Sequence, residues 1–282
     1  MSAERAGWRF TLSRRWIGYL ALVIVFAIAC TALAFWQLAR REEARAEIDR
    51  VELNWDSAPR PVADVLTDLD GFDADDKWMP VVMSGHYLTD AELLVRGRPF
   101  DSKPGFEQLV PFELDDGSVF VIDRGWLPVG NEQDAPDAVP AAPEGTVTVV
   151  ARLKAGEPTV AGRSAPAGQV ATIHLPTIAE LVDEPTYTGA YGVLASEDPE
   201  VARPTAAVKP VPDEGPHLSY AFQWFVFGIM AFFGLGWAVR QEYRIRNADD
   251  PEERERAEER RRKAATRPRS DAEIEDELLD AR

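Results

Sequence analysis

The chain of 282 residues has one cysteine, three histidines and a deficit of positive charge. A single cysteine excludes a disulfide framework, a zinc ribbon and a CxxC redox pair. Lys and Arg number 31 against 48 Asp and Glu, a net charge of −17. That acidity leaves no broad basic face for phosphates, so no nucleic-acid partner is expected. The histidines, His86, His174 and His217, have no GxSxG or HExxH sequence around them. Neither a hydrolase triad nor a zinc-protease site is recognisable, and the chain reads as a non-enzyme. The missing triad and the lone cysteine within an apolar run also disfavour an envelope hydrolase or a copper chaperone. No repeat with a period of about 20–50 residues appears.

Two stretches lack charge altogether, although the mean hydropathy of −0.24 conceals them. The first lies between Arg15 and Arg40, and its centre, Ile17 to Phe35, reads IGYLALVIVFAIACTALAF. Nineteen residues of helix extend roughly 28 Å, about the thickness of a hydrocarbon core. Trp16 and Trp36 stand at its ends, where interfacial aromatics are enriched. The second stretch follows His217 and reads LSYAFQWFVFGIMAFFGLGWAV, which is also long enough to span. Ala32-Leu33-Ala34 offers an alternative reading of the first stretch as a cleaved signal, but its uncharged length exceeds the usual apolar region of such signals. Cys30 lies mid-span and reads as a small packing residue.

Arginines near the spans set the expected orientation. Residues 1–15 carry Arg5, Arg9, Arg14 and Arg15 against Glu4, and Arg240, Arg244 and Arg246 follow the second span. Residues 37–216 hold 15 basic and 33 acidic residues. The expected plan is a cytoplasmic N-terminus over 1–15, a first transmembrane helix over 16–36 and an extracytoplasmic β-rich domain over 37–216. A second transmembrane helix over 217–239 and a charged, partly disordered cytoplasmic tail over 240–282 complete it. The location is the plasma membrane, with lipid as an obligatory neighbour. Arg40, Arg41 and Arg45 put positive charge on the outer side as well, partly balanced by Glu42, Glu43 and Glu47.

In the middle region, Gln37 to Asp56 is rich in helix formers and continues the first span. ADVLTDL after Pro61 reads as a short helix. Strands are expected over Trp78–Tyr87, Glu92–Arg98, Gly105–Phe112, Ser118–Trp126, Thr146–Lys154, Gln169–His174 and Tyr187–Leu194, with a helix over Pro176–Val182. Asp115-Asp116-Gly117 predicts a hairpin turn. The fold class is therefore a membrane protein, with two transmembrane helices flanking a mainly antiparallel α+β domain, a sandwich or a partly open barrel. Proline-rich linkers are expected over 128–145 and 197–216. In the tail, Glu252 with Arg256, Glu258 with Arg262 and Glu259 with Lys263 favour a solvated helix.

His217 opens the second span, and His217, Tyr220, Ala221, Trp224 and Gly228 share one helical stripe. An imidazole beside aromatic rings and a glycine gap suits a flat iron macrocycle that needs an axial nitrogen. An interfacial aromatic belt and close helix packing at Gly228, Gly234 and Gly236 account for the same residues without a ligand. Asp123 and Arg124 are expected to form a strand-end ion pair.

The order of several short motifs resembles the surfeit locus protein 1 family of cytochrome c oxidase assembly factors. The matching residues are Trp36-Gln37-Leu38 with Arg40-Arg41, Gly85-His86-Tyr87, Pro111-Phe112, Asp123-Arg124-Gly125-Trp126, and the run from His217 to Phe225. The resemblance covers most of residues 16–240. It implies a non-enzymatic membrane factor that assists delivery of haem a to the catalytic subunit of a haem-copper oxidase, with the haem a synthase as a further partner. It also links His217, and that residue alone, to haem binding as the iron ligand; Tyr220 and Trp224 are candidate cofactor-binding residues from the helical stripe. Trp36, Arg40, Arg41, Gly85, Tyr87, Arg124, Gly125 and Trp126 are left as docking or fold residues. A scaffold that stabilises the oxidase subunit without touching haem is the competing expectation. Pro216 and the acidic tail depart from the family pattern.

Overall fold

The computed structural model describes residues 7–131 and 134–266. Glu4, Arg5 and the acidic end of the tail lie outside them. The chain divides into two compact units, Glu43–Glu214 and a second made of Met1–Glu42 with Gly215–Arg282.

Helix α1, Arg14–Asn54, enters the first unit at Glu43. It stops at Asn54, whose amide donates to the carbonyls of Asp75 and Lys77. The Glu47 carboxylate accepts from Lys77 Nζ at 2.6 Å and from the Trp78 indole at 3.0 Å. Trp78 has φ of 70°, a left-handed conformation rare for a bulky residue. Its backbone N–H on the Leu153 carbonyl, the Glu47 bond and the ring of Trp55 at 5.3 Å together hold it there.

The rest of this unit is a β domain. Strand β1, Arg60–Pro61, leads into the short helix α2, Val62–Val65, and β2 covers Pro80–Tyr87. Strands β3, Leu93–Arg96, β4, Gly105–Leu114, and β5, Val119–Pro128, follow as a meander. Strand β6 is Val147–Ala155, β7 is Gln169–Val170, helix α3 is Leu175–Val182 and β8 is Ala190–Asp198. The sheet order is β1-β2-β6-β8-β5-β4-β3-β7, and β2 also pairs with β4. That extra pairing closes β2, β6, β8, β5 and β4 into a ring, so a small barrel rather than a sandwich forms.

Alternation along each strand builds two cores. Val81, Met83, Tyr87, Val110, Phe112, Phe120, Ile122, Val149, Ala151 and Leu153 fill one. Leu109, Val121, Tyr191 and Val193 face the other, where Ile178 of α3 and β3 cover them. The Asp115-Asp116-Gly117 turn forms as expected, with Gly117 at φ of 82° and Asp116 accepting from the Ser118 amide.

The β elements differ from expectation at particular places. Most pairings are antiparallel, but β1 with β2, β3 with β7 and β5 with β8 are parallel. The strand expected over Gln169–His174 ends after two residues, because the His174 side chain accepts from the Thr177 amide and starts α3. The last strand begins at Ala190 and runs to Asp198, so Glu197 and Asp198 belong to the sheet and not to a linker.

In the second unit, α1 packs against α4, His217–Arg246. Both helices are long and apolar enough to cross a membrane. Their contact uses small residues: a Cβ at Gly228 would stand 3.6 Å from that of Cys30, and Ala34 and Ala221 are buried. At one end Arg15 and Arg246 share Glu242, and Trp8 stacks on Tyr243 at 4.2 Å. Trp16 is buried beneath Phe10 and is not an exposed interfacial residue, whereas Trp36 is 56% exposed. Helix α5, Pro251–Ala265, carries the Glu252–Arg256 and Glu259–Lys263 pairs.

Candidate functional site

The residues singled out by sequence separate into one set on the helix pair and one set in the barrel. On the helix pair, His217 is the first residue of α4 and is half-buried. Its Nδ1 lies 2.8 Å from Oε1 of Gln37, whose amide oxygen can only accept, so Nδ1 carries the proton. In that tautomer the other ring nitrogen, Nε2, is the one that can offer a lone pair, and it has no hydrogen-bond partner among the described residues. Gly215, at φ of 65°, precedes the helix, and a Cβ there would stand 3.3 Å from Nε2. Glycine at 215 thus leaves the outer edge of the ring uncovered. An imidazole with one nitrogen held and the other open is the donor arrangement that iron in a macrocycle takes.

The stripe below His217 does not form a single surface. Ala221 and Gly228 are buried against α1, Trp224 is half-buried beside Phe227, and Tyr220 is 47% exposed. The glycine gap expected at Gly228 is occupied by Cys30 and Ala27. Trp36 and Arg40 are exposed and Arg41 is half-buried. Gln37 is the residue that sequence reasoning passed over, although it sits inside the Trp36-Gln37-Leu38 motif.

In the barrel, Arg124 occupies a bulge, since Gln108 pairs with Gly125 and Leu109 with Asp123. Its guanidinium is buried on the Phe120 and Ile122 side of β5, over the Tyr87 ring. There Nη2 donates to Glu197 Oε1 at 2.8 Å, and Nη1 donates to Gln108 Oε1 at 3.1 Å and to the Pro140 carbonyl at 3.0 Å. The Tyr87 hydroxyl donates to Glu197 Oε2 at 2.8 Å. Burial and the Glu197 charge push the Tyr87 hydroxyl pKa far up, so it stays a donor. Arg124 therefore pairs with Glu197 and not with Asp123, and it lies inside the barrel and not at a strand end. Adjacent residues of a strand face opposite sides, which is why the neighbours cannot meet.

Asp123 points to the other core. Burial and the neighbouring Glu107 carboxylate push its pKa up to about 7, against Lys154 and the Gly125 N–H, which favour its ionised form. Arg98 pairs with Glu107 at 2.9 Å and with Glu157 at 2.6 Å, and its carbonyl accepts from the Trp126 indole at 2.7 Å.

Two glycines of the matched motifs have steric duties. A Cβ at Gly85 would fall 1.9 Å from the Glu113 carbonyl oxygen, where β2 leaves β6 and joins β4. Gly125, at φ of 133°, allows the Thr205 carbonyl to approach, and Trp126 pairs with Thr205 across that contact.

A mainly antiparallel barrel bracketed in sequence by two membrane-length helices, with an imidazole opening the second, defines a membrane protein of the two-span, β-domain type. The chain belongs to the SURF1 family, whose model matches residues 24–229. It is 33% identical over 247 residues to uncharacterised SURF1-like proteins of Mycobacterium tuberculosis and Mycobacterium bovis, covering 85% of this chain and 89% of theirs. It is also similar to the cytochrome oxidase assembly protein SHY1 of Saccharomyces cerevisiae, 28% identical over 120 residues, or 42% of this chain and 30% of that one.

Proposed function

We propose that this chain is an assembly factor for a haem-copper cytochrome c oxidase and that His217 holds haem a transiently on its way to the catalytic subunit. The observation that carries the reading is the His217 ring, tied through Nδ1 to Gln37 and open at Nε2 beside Gly215. Haem a, if bound, would supply an iron atom that accepts a nitrogen donor, and His217 Nε2 would be the group that holds it. Gln37 keeps the ring in the Nδ1–H form, and Gly215 leaves room at the ring edge. Tyr220 and Trp224 offer aromatic surface one and two turns further along α4.

In this reading the protein lies in the plasma membrane with both termini in the cytoplasm and the barrel outside. The contact of Arg15 with Glu242 supports both ends being on one side, and the arginines around it support the cytoplasmic side. The haem a synthase is the expected donor of the pigment. The protein purified in detergent from cells making haem a should show a Soret band that His217→Ala reduces at least tenfold. Equal pigment in wild type and variant would remove His217 as the ligand.

A second reading is a scaffold that stabilises the oxidase subunit without pigment. The filling of the Gly228 gap by Cys30 and the exposure of Tyr220 favour it. It requires that His217→Ala leave oxidase assembly intact while colourless protein still co-purifies with the oxidase subunit.

A further inference from the structure

The face of α4 that begins at Ile229 has a feature that neither reading uses. Ile229, Phe232, Phe233, Gly236, Trp237 and Arg240 line a groove of about 550 Å³. Residues 229, 233, 236, 240 and 244 recur at helical spacing, so Arg244 lies one turn beyond Arg240 on the same side. Phe233 and Trp237 are 74% and 68% exposed, and between them Gly236 has nothing within 4 Å of where a Cβ would be. The missing side chain makes the floor of the groove. Its length from Ile229 to Arg240 is about 16 Å, close to half of a roughly 30 Å hydrocarbon core.

Charge at the mouth of the groove is unbalanced. The arginines beside Glu242 are matched, since Arg15 and Arg246 both reach its carboxylate at 2.9 Å. Arg240 and Arg244 have no carboxylate partner among the described residues. Two guanidiniums one turn apart can each direct N–H groups at one phosphate, and both can extend to the headgroup level from the end of a span. Unmatched among the described residues, the two guanidiniums are available to an anion at the end of the span.

We propose that this face of α4 is a binding site for one anionic phospholipid, with its phosphate between Arg240 and Arg244 and an acyl chain along Phe233, Gly236 and Trp237. Lipid tails and the groove are equally apolar, so the chain contributes fit and the headgroup contributes selectivity. A choline headgroup would bring its own cation to two arginines, whereas a glycerol headgroup would not. An anionic lipid is therefore preferred to a zwitterionic one of the same chain length.

The full-length protein should be extracted in mild detergent from membranes containing equal phosphatidylglycerol and phosphatidylcholine, and its retained lipid counted by native mass spectrometry. Wild type should keep one phosphatidylglycerol in preference to phosphatidylcholine, and Arg240→Gln with Arg244→Gln should lower that retention about tenfold or more. Gly236→Leu should lower it too, with both arginines present, because it fills the groove. Phosphatidylglycerol with brominated chains should quench the fluorescence of wild type more than that of Trp237→Phe. Excess inorganic phosphate should not displace the lipid. Equal retention of the two lipids would overturn the proposal, as would loss on Arg254→Gln with Arg256→Gln, displacement by phosphate alone, or a co-purifying polypeptide whose release depends on Arg240 and Arg244. Each variant should keep the thermal unfolding midpoint of wild type, which separates loss of the site from loss of the fold.

Discussion

Arg124 and Glu197 form an ion pair of 2.8 Å in which the two side chains are 0% and 1% exposed. The pair joins β5 to β8, strands whose parallel ladder has only two residue pairs, Ile122 with Gly192 and Asp123 with Val193. Tyr87 bonds Glu197, and Gln108 and the Pro140 carbonyl bond Arg124, whose Nε has no hydrogen-bond partner among the described residues, so the barrel end is joined by a polar knot and not by apolar packing alone.

Breaking one side of that pair leaves a buried charge without a counterion. Arg124→Met is expected to cost about 3–5 kcal/mol, and adding Glu197→Met to it should recover a large part of the loss. Urea titrations of the full chain in detergent, followed by tryptophan fluorescence, measure both. A double variant no better than the single one would mean that the guanidinium acts mainly through Gln108 and Pro140.

Gly85 marks the point where the ring closes. Gly85→Ala forces a methyl against the Glu113 carbonyl and is expected to cost about 2–3 kcal/mol by overpacking. The exposed neighbour Ser84 is a control, and Ser84→Ala should stay within about 0.5 kcal/mol. Thermal melts of the two variants check the contrast.

Asp123 makes stability fall as pH rises. Its pKa in the folded chain, pushed up to about 7, lies above the ordinary value of 3.8, so the folded state holds the proton more tightly than the unfolded state. The benefit is complete below about pH 4 and is lost as pH rises through about 7. Glu107 is shifted in the same direction, again chiefly by burial. Asp123→Asn should flatten the decline in unfolding free energy between pH 5 and 8. Above pH 7 it should be more stable than wild type by on the order of 3 kcal/mol. Urea midpoints at the two pH values measure it, and parallel slopes in wild type and variant would contradict the assignment.

In the proposed haem-holding role, Gln37 acts through the His217 ring. Gln37→Leu is expected to weaken haem retention about tenfold, as loss of an outer-shell partner commonly does, without moving the barrel's unfolding midpoint. Dilution of pigmented protein into apomyoglobin, followed by loss of its Soret absorbance, reports the change.

Much of the architecture was legible because it depends on local pattern. The two charge-free runs, the Asp116-Gly117 turn and the alternating apolar residues of β2, β4, β5 and β6 each carry their own periodicity. Ring closure did not show, since it rests on Gly85 meeting Glu113, a contact between distant strands that no local pattern records. Glu197 was hidden in the same way: a charged residue next to a proline-rich run reads as linker, and only the guanidinium reached from β5 makes it a core residue. For the helix pair, sequence placed His217 at the mouth of α4. The Nδ1 contact to Gln37 joins residues 180 positions apart and needed the fold to be seen.

Strand β8 lies between β6 and β5 and supplies Glu197, yet it is the last strand to be made. A ribosome that has released the chain only as far as Gly189 has produced two unsatisfied strand margins and a guanidinium with no counterion. The nascent domain must remain unfinished, and exposed to holdases or proteases, until the residues just ahead of the second apolar stretch emerge. Completion of the barrel and emergence of α4 are therefore nearly simultaneous events in the synthesis of this protein.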